Sequence, residues 1–518
     1  MIKKLLAILA GLAIALVIVL GALLSWPLPE MPRPGVTGDF LIRNVAIVDV
    51  VNGRTVHGRD VIVRDGHIDS IGAGQAASAQ GGLIVVDGTG KFLSPGLWDM
   101  HVHSLKISPQ FTHPLSIAAG VTGVREMWGC PGLPDSFLAC GEDIERWRAG
   151  LRDHSHLAPR YIQRASYKIE GDHGVPAAAP AFYRARNADD ARALAAHLAA
   201  DDVDLLKTYT ELSLPAYEAL AAATSRHGLV LAGHLPLRVP LETALAAGQR
   251  SIEHPRVFLF ECYRGAAAFR ALPDPMAAYT LAMRARFIDE HDPERCATLM
   301  SAMAASNTWW TPTLQVLRLS ALAGNRAFRE DPRQRYVPFV LRAALWKPDA
   351  DRQVEQAALE PGRDVHGELY QLALDTVGQA HAAGVRILAG TDAPDSYVYP
   401  GLAIHDELAE LVRAGLTPAD ALRASTIDAA QFAGQTRDYG SIEVGKTGDM
   451  VLLDADPLTD IRNTAKISGL FFNRQYLDRT ALDELLAFAE DQAASIRTNL
   501  HLLWGALRSP VMQTNFAD

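Results

Sequence analysis

The chain has 518 residues, 49% of them apolar and 21% charged, enough to bury one large core plus an appendage. Its formal net charge is −10 with no basic block, which argues against nucleic acid as a partner. No low-complexity segment and no short internal repeat stands out.

At the N-terminus, Lys3-Lys4 precede an apolar run from Leu5 to Leu24, about 30 Å as a helix and enough to span a bilayer. A cleaved signal peptide would carry a shorter core and an A-x-A-like site, and neither is evident before Ser25-Trp26-Pro27. The run therefore reads as an anchor over residues 5–24, with Lys3-Lys4 cytoplasmic and Trp26 at the interface. Residues 1–30 are taken as this anchor or signal segment. The body is expected to be exported, periplasmic or otherwise extracytoplasmic, and held at the inner membrane. Four cysteines agree with export: Cys130 and Cys140 lie close together, and Cys262 and Cys296 flank a helical insertion. Two disulfides are permitted, free buried thiols compete, and the sequence does not fix the connectivity.

After a Pro-rich spacer (Pro27 to Pro34), residues 39–86 read as short strands, with Asp65-Gly66 as a hairpin signal. The next apolar run ends in Leu97-Trp98-Asp99-Met100-His101-Val102-His103. In a strand, residues two apart share a face, so His101 and His103 can turn toward one ion. Four more residues of ligand type each end a strand-like run: Lys207 after Leu206, His234 after Gly233, His254 after Glu253, and Asp392 after Thr391. Further strands are expected at Gly123–Glu126, Tyr161–Ala165 and Thr308–Thr313, with helices such as Ala191–Ala200 and Tyr217–Ala223 between them. Ligands at the C-terminal ends of successive strands are what an α/β fold of the (β/α)8 TIM-like barrel type would gather at one mouth. An insertion at Cys262–Met303 and a helical stretch at Arg326–Leu374 are placed to cover that mouth, and Thr480–Ser509 reads as helix packed on the barrel.

At these residues the chain resembles the amidohydrolase superfamily, in its imidazolonepropionase-like and prolidase-like branch. That pattern has His-x-His on the first strand, a carboxylated lysine on the fourth, histidines on the fifth and sixth, and aspartate on the eighth. The resemblance implies two divalent metal ions, with zinc the expected metal. One would be held by His101, His103 and Asp392, the other by His234 and His254, with a CO2-derived carbamate on Lys207 shared between them. Mixed nitrogen and oxygen ligands also accept Co, Mn or Fe. Asp392 would also shuttle the proton of a metal-bridging hydroxide to the leaving group. His173, in Gly171-Asp172-His173-Gly174, stands where the branch carries a carbonyl-polarising histidine, with aspartate replacing the family's second glycine. Tyr209 shares the strand face of Lys207 and is a candidate oxyanion donor, with rim packing as its alternative. Arg125, Arg164 and Arg256 could hold a substrate carboxylate, although structural roles are favoured. The resemblance further implies a small β-sandwich built from both ends of the chain, residues 38–95 and 440–475, around a barrel over 96–439. Residues 476–518 would form a C-terminal helical extension.

The expected activity is hydrolysis of amide bonds in short peptides or N-acyl amino acids by a membrane-attached enzyme, with homo-oligomerisation open. The alternatives are a lactone, carbamate or cyclic-amide hydrolase, a deaminase, or an inactive binding protein on the same barrel. Deaminase members carry a glutamate just after the strand-five histidine, whereas His234 is followed here by Leu235-Pro236-Leu237.

Overall fold

The computed structural model describes residues 2–74, 82–172, 174–201 and 203–515. Eight parallel strands form its centre: β1 (Leu97–Val102), β2 (Val121–Glu126), β3 (Arg160–Arg164), β4 (Leu205–Thr208), β5 (Val230–Gly233), β6 (Ser251–Glu253), β7 (Trp309–Thr311) and β8 (Arg386–Ile387). They lie in two arcs, β1-β2-β3 and β4-β5-β6-β7-β8. Parallel bridges join the arcs at Ala165 with Leu205 and at Val102 with Ala393, closing the ring as the sequence pattern requires. Along β1 the two-residue period sorts the side chains. Trp98 and Met100 pack with Trp309, Leu388 and Phe432, while Asp99 and His101 face the other way.

The flanking helices begin earlier than composition suggests. Ala188–Ala199 is capped by Asn187, whose side chain accepts from the backbone N–H groups of Asp189 and Asp190. Leu214–Arg226 is capped by Ser213. Each cap satisfies otherwise orphaned donors and so sets where the helix starts. The stretch Arg326–Leu374 is helical, as expected, but in several pieces. Pro332, Pro338 and the Pro361-Gly362 pair divide it into short turns, a helix at Lys347–Ala357 and another at Val365–Ala382. The tail likewise splits at Ser495 into helices Arg479–Ala494 and Ile496–Arg508, with Leu482 and Leu485 packed on Ile117 and Ala118.

Both ends of the chain meet in one sheet. Met450–Leu453 pairs antiparallel with Phe92–Pro95, and His67 bridges Thr447. The small sandwich expected from both ends of the chain is formed by one continuous nine-stranded sheet that curls on itself. Phe40 meets the rings of Phe471 and Tyr476 at 5.5 and 6.2 Å although their strands are not neighbours, so one coiled sheet supplies both sides of its core. The cysteines are joined as Cys130–Cys140 and Cys262–Cys296.

Residues Ile2–Ser25 form a helix whose apolar side chains, among them Leu5, Leu9, Leu12 and Ile18, are exposed. Among the described residues, however, no helix is long and apolar enough to cross a membrane, so the expected bilayer-spanning anchor over 5–24 has no support here.

One buried carboxylate gives a pH-dependent expectation. Glu407 accepts the backbone N–H groups of Leu314 and Gln315 at the start of the helix after β7, and burial still pushes its carboxyl up to about 8. The folded chain therefore holds a proton that an unfolded glutamate releases at much lower pH. This contribution to stability is present on the acid side and lost as pH rises through about 8. The slope is at most about 1.4 kcal/mol per pH unit. Urea unfolding across neutral to mildly alkaline pH should show stability falling more steeply for the wild type than for Glu407→Gln.

Candidate metal centre

The ligand-type residues end their strands on one rim of the barrel. His101 and His103 leave β1, Lys207 lies on β4, and His234 and His254 directly follow β5 and β6. Asp392 follows β8 after a short link. The Nε2 atoms of His101 and His103 each approach Asp392 Oδ1 to 3.3 Å, and His254 Nδ1 lies 3.6 Å from Asp392 Oδ2. Ligand atoms of His101, His254 and Asp392 all fall within 4.8 Å of one another. His101 Nε2, His103 Nε2 and Asp392 Oδ1 are buried and have no hydrogen-bond partner. Three inward-facing lone-pair donors left without protons to accept are what a divalent cation satisfies, so the residues fit a metal ion. Burial holds all four histidines, His101, His103, His234 and His254, well below the usual imidazole value, which keeps them neutral as ligation requires.

The backbone is strained at the same place. His254 and Asp392 adopt left-handed φ values of 71° and 66°, which aim their side chains inward as the strands end. Two glycines make room. A Cβ on Gly390 would sit 2.9 Å from His101 Cβ, and one on Gly233, at φ 117°, would sit 2.4 Å from Thr208 O.

The remaining predicted residues are distributed as follows. The His234 ring lies 4.6 Å from that of His254 and stacks on Tyr209 at 4.0 Å. Lys207 is buried, and burial lowers its amine to about 8 against the opposing pull of Asp392, Glu126 and Glu253. Its Nζ lies 5.8 Å from the Tyr209 ring centre. Burial raises the Tyr209 phenol well above its usual value, so it stays a proton donor. Burial raises Asp392 as well, with Asp395 adding to the effect. His173 lies outside the described residues. Of the three arginines, Arg125 is fully buried and Arg164 donates to Asp201 O, whereas Arg256 reaches the cluster, its Nη2 lying 3.5 Å from His234 Nδ1 and 3.4 Å from Thr210 Oγ1 and Leu235 O.

The structure also shows residues that sequence reasoning passed over. Glu253 accepts His101 Nδ1–H at 2.9 Å and is itself held by two Arg125 contacts of 2.8 and 2.9 Å and by Ser251 Oγ at 2.5 Å. Arg125 also donates to Met100 O, Ser251 Oγ and Thr311 Oγ1. Glu253 thereby fixes the His101 tautomer with Nε2 turned to the cluster. Asp99 plays a similar part for β8, accepting Thr391 Oγ1–H at 2.6 Å and the Thr391 backbone N–H at 3.0 Å. Thr210 Oγ1 meets His234 Nδ1 at 3.0 Å, and Thr313 Oγ1 meets His254 Nδ1 at 2.8 Å. The available signal was Ser251-Ile252-Glu253, a charged residue sharing one face of an apolar strand with a serine. Beside Thr210 opens a cavity of about 310 Å³, walled by Gly171, Glu211 and Arg238 and by Pro273–Met276 of the Cys262–Met303 insertion.

Together the closed barrel and this cluster define a metal-binding (β/α)8 protein. The sequence profile of the Amidohydrolase family matches residues 366–475. Adenine deaminase from Shewanella halifaxensis is 32% identical over 117 residues, covering 21% of this chain and 19% of that relative. The chain thus matches only about a fifth of that relative's length. Among solved structures, a Bottromycin amidohydrolase matches with TM-score 0.65 and 23% identity, over 93% of this chain and 94% of that one. A Xaa-Pro dipeptidase with bound methionine in the active site matches with TM-score 0.58 and 18% identity, over 85% and 100%. At those identities the likenesses to structures are of fold. Residues 366–475 thus resemble the Amidohydrolase family, and over most of the chain the likeness to amidohydrolase structures is one of fold.

Proposed function

We propose that the chain is a divalent-metal-dependent hydrolase of amide bonds in short peptides or N-acyl amino acids. The observation that carries this reading is the convergence of the unsatisfied His101 Nε2, His103 Nε2 and Asp392 Oδ1. His101, His103 and Asp392 would hold one ion and His234 and His254 a second, with Lys207 shared as a carbamate. An amine lowered to about 8 is partly neutral near pH 7, the form that adds CO2. A bound divalent ion supplies Lewis-acid polarisation of the scissile carbonyl and a lowered pKa for water. The chain's own groups do the rest. Asp392 accepts the proton of the attacking water and returns it to the departing amine nitrogen. The Tyr209 phenol donates to the oxygen on which charge develops. His173 is proposed to help polarise the carbonyl. The structural likeness to a Xaa-Pro dipeptidase supports a peptide substrate, and the insertion loop Pro273–Met276 at the cavity wall is placed to select it.

A second reading, a lactone or carbamate substrate, uses the same groups on another carbonyl. Deamination, the reaction in the name of the Shewanella halifaxensis relative, is a further alternative, and Leu235-Pro236-Leu237 after His234 supplies no acid for it. An inactive barrel would not need six ligand-type residues and a buried glutamate orienting one of them. We further place the protein outside the cytoplasm, because both cysteine pairs are bonded and such bonds persist in oxidising compartments.

The test combines metal content, with and without added bicarbonate, with turnover of dipeptides, N-acyl amino acids and lactones. Near two ions per chain and amide turnover, both reduced in Lys207→Ala, is the expected result. One ion unaffected by that substitution would overturn the shared carbamate. Two ions with turnover of lactones alone would move the substrate class.

A further inference from the structure

The helix Ile496–Arg508 is held to the body by one side and leaves apolar side chains on the other. Its inner side carries Thr498, Asn499, Leu502 and Gly505, all buried. Asn499 donates to Ala493 O and accepts the Val340 backbone N–H, and a Cβ on Gly505 would lie 2.5 Å from Ser136 O. The helix is thus fixed against the body by polar groups and close backbone approach, and it cannot rotate to hide its other side. That other side shows Ile496, Leu503, Trp504 and Leu507, 66%, 40%, 47% and 60% exposed, at helical spacings that put them on one face.

Two further observations say what covers this face. The helix carries Arg497 and Arg508 and no acidic residue, in a chain of net charge −10, and the Arg508 guanidinium lies 5.7 Å from the Trp504 ring centre. Next, His501 Nε2 meets Leu23 O at 3.2 Å, which sets the end of the exposed apolar helix Ile2–Ser25 beside this one. An apolar face with tryptophan at its middle and arginines at its ends lies in the interfacial layer of a bilayer, its cations on anionic headgroups.

We propose that the outer face of Ile496–Arg508 is a peripheral membrane-contact surface for an anionic phospholipid bilayer, with the helix lying flat in the interface beside Ile2–Ser25. This orientation holds the body at the membrane surface through contacts from both ends of the chain.

Nitroxide labelling of the full chain tests it, because the four native cysteines are consumed in disulfides and a new thiol is unique. Labels go on Leu507→Cys and, as a control on an exposed site elsewhere, Leu359→Cys. Both are read with oxygen and a water-soluble nickel chelate on phosphatidylcholine vesicles with and without phosphatidylglycerol. The expected result is that the label at 507 gains oxygen contact and loses nickel contact, more so with phosphatidylglycerol, while the label at 359 stays in water. A label at 507 as accessible to nickel on vesicles as in solution would overturn the proposal. So would shielding from both reagents with spin–spin broadening, which would mean that a second copy covers the face.

Discussion

Glu253→Gln is expected to weaken divalent-metal binding about 10- to 100-fold while leaving the chain folded. The side chain is fully buried between His101 Nδ1 and the Arg125 guanidinium, so its charge acts on both. With a neutral amide in its place, His101 keeps its position but loses the partner that raises its basicity and fixes its tautomer. Competition with a chelator measures the affinity, and unfolding by urea reports whether the barrel survives. Glu253→Ala separates the two effects. It strands a buried guanidinium whose other partners are neutral oxygens, and should cost about 3–5 kcal/mol of stability. Unchanged metal affinity in the glutamine variant would reduce Glu253 to a packing role.

Asp392→Asn should lower kcat by about two to four orders of magnitude, with loss of the ion held by His101 and His103. Asparagine is suited to the test because it tolerates the left-handed backbone that Asp392 adopts at φ 66° and keeps nearly the same shape. What it removes is the charge that would draw a cation between His101 Nε2 and His103 Nε2, and the proton carrier. Steady-state kinetics and metal analysis of one preparation check both parts. Full turnover with unchanged metal content would assign proton transfer to another group.

The positions of these residues were legible because each candidate ligand terminates an apolar run, and a period-two pattern tells which residues share a face. His101 and His103 are two apart, and Lys207, His234 and His254 follow runs short enough to be strands. Helix starts were less legible, since the caps Asn187 and Ser213 lie outside the alanine-rich stretches that announce their helices. The stretch after Arg326 is helical as its composition indicates, and its prolines set where it breaks.

The sequence by itself determined the order and chemistry of the candidate ligands, the eight-strand periodicity and the even count of cysteines, since all of these are local or additive properties of the chain. Only the tertiary structure decided which cysteines pair, that the terminal strands form one coiled sheet, and that Glu253 serves His101 across 152 positions of sequence. It also decided which face of Ile496–Arg508 is left exposed. Such facts depend on which surfaces meet when the barrel closes, and no local pattern of residues encodes a contact between strands that far apart.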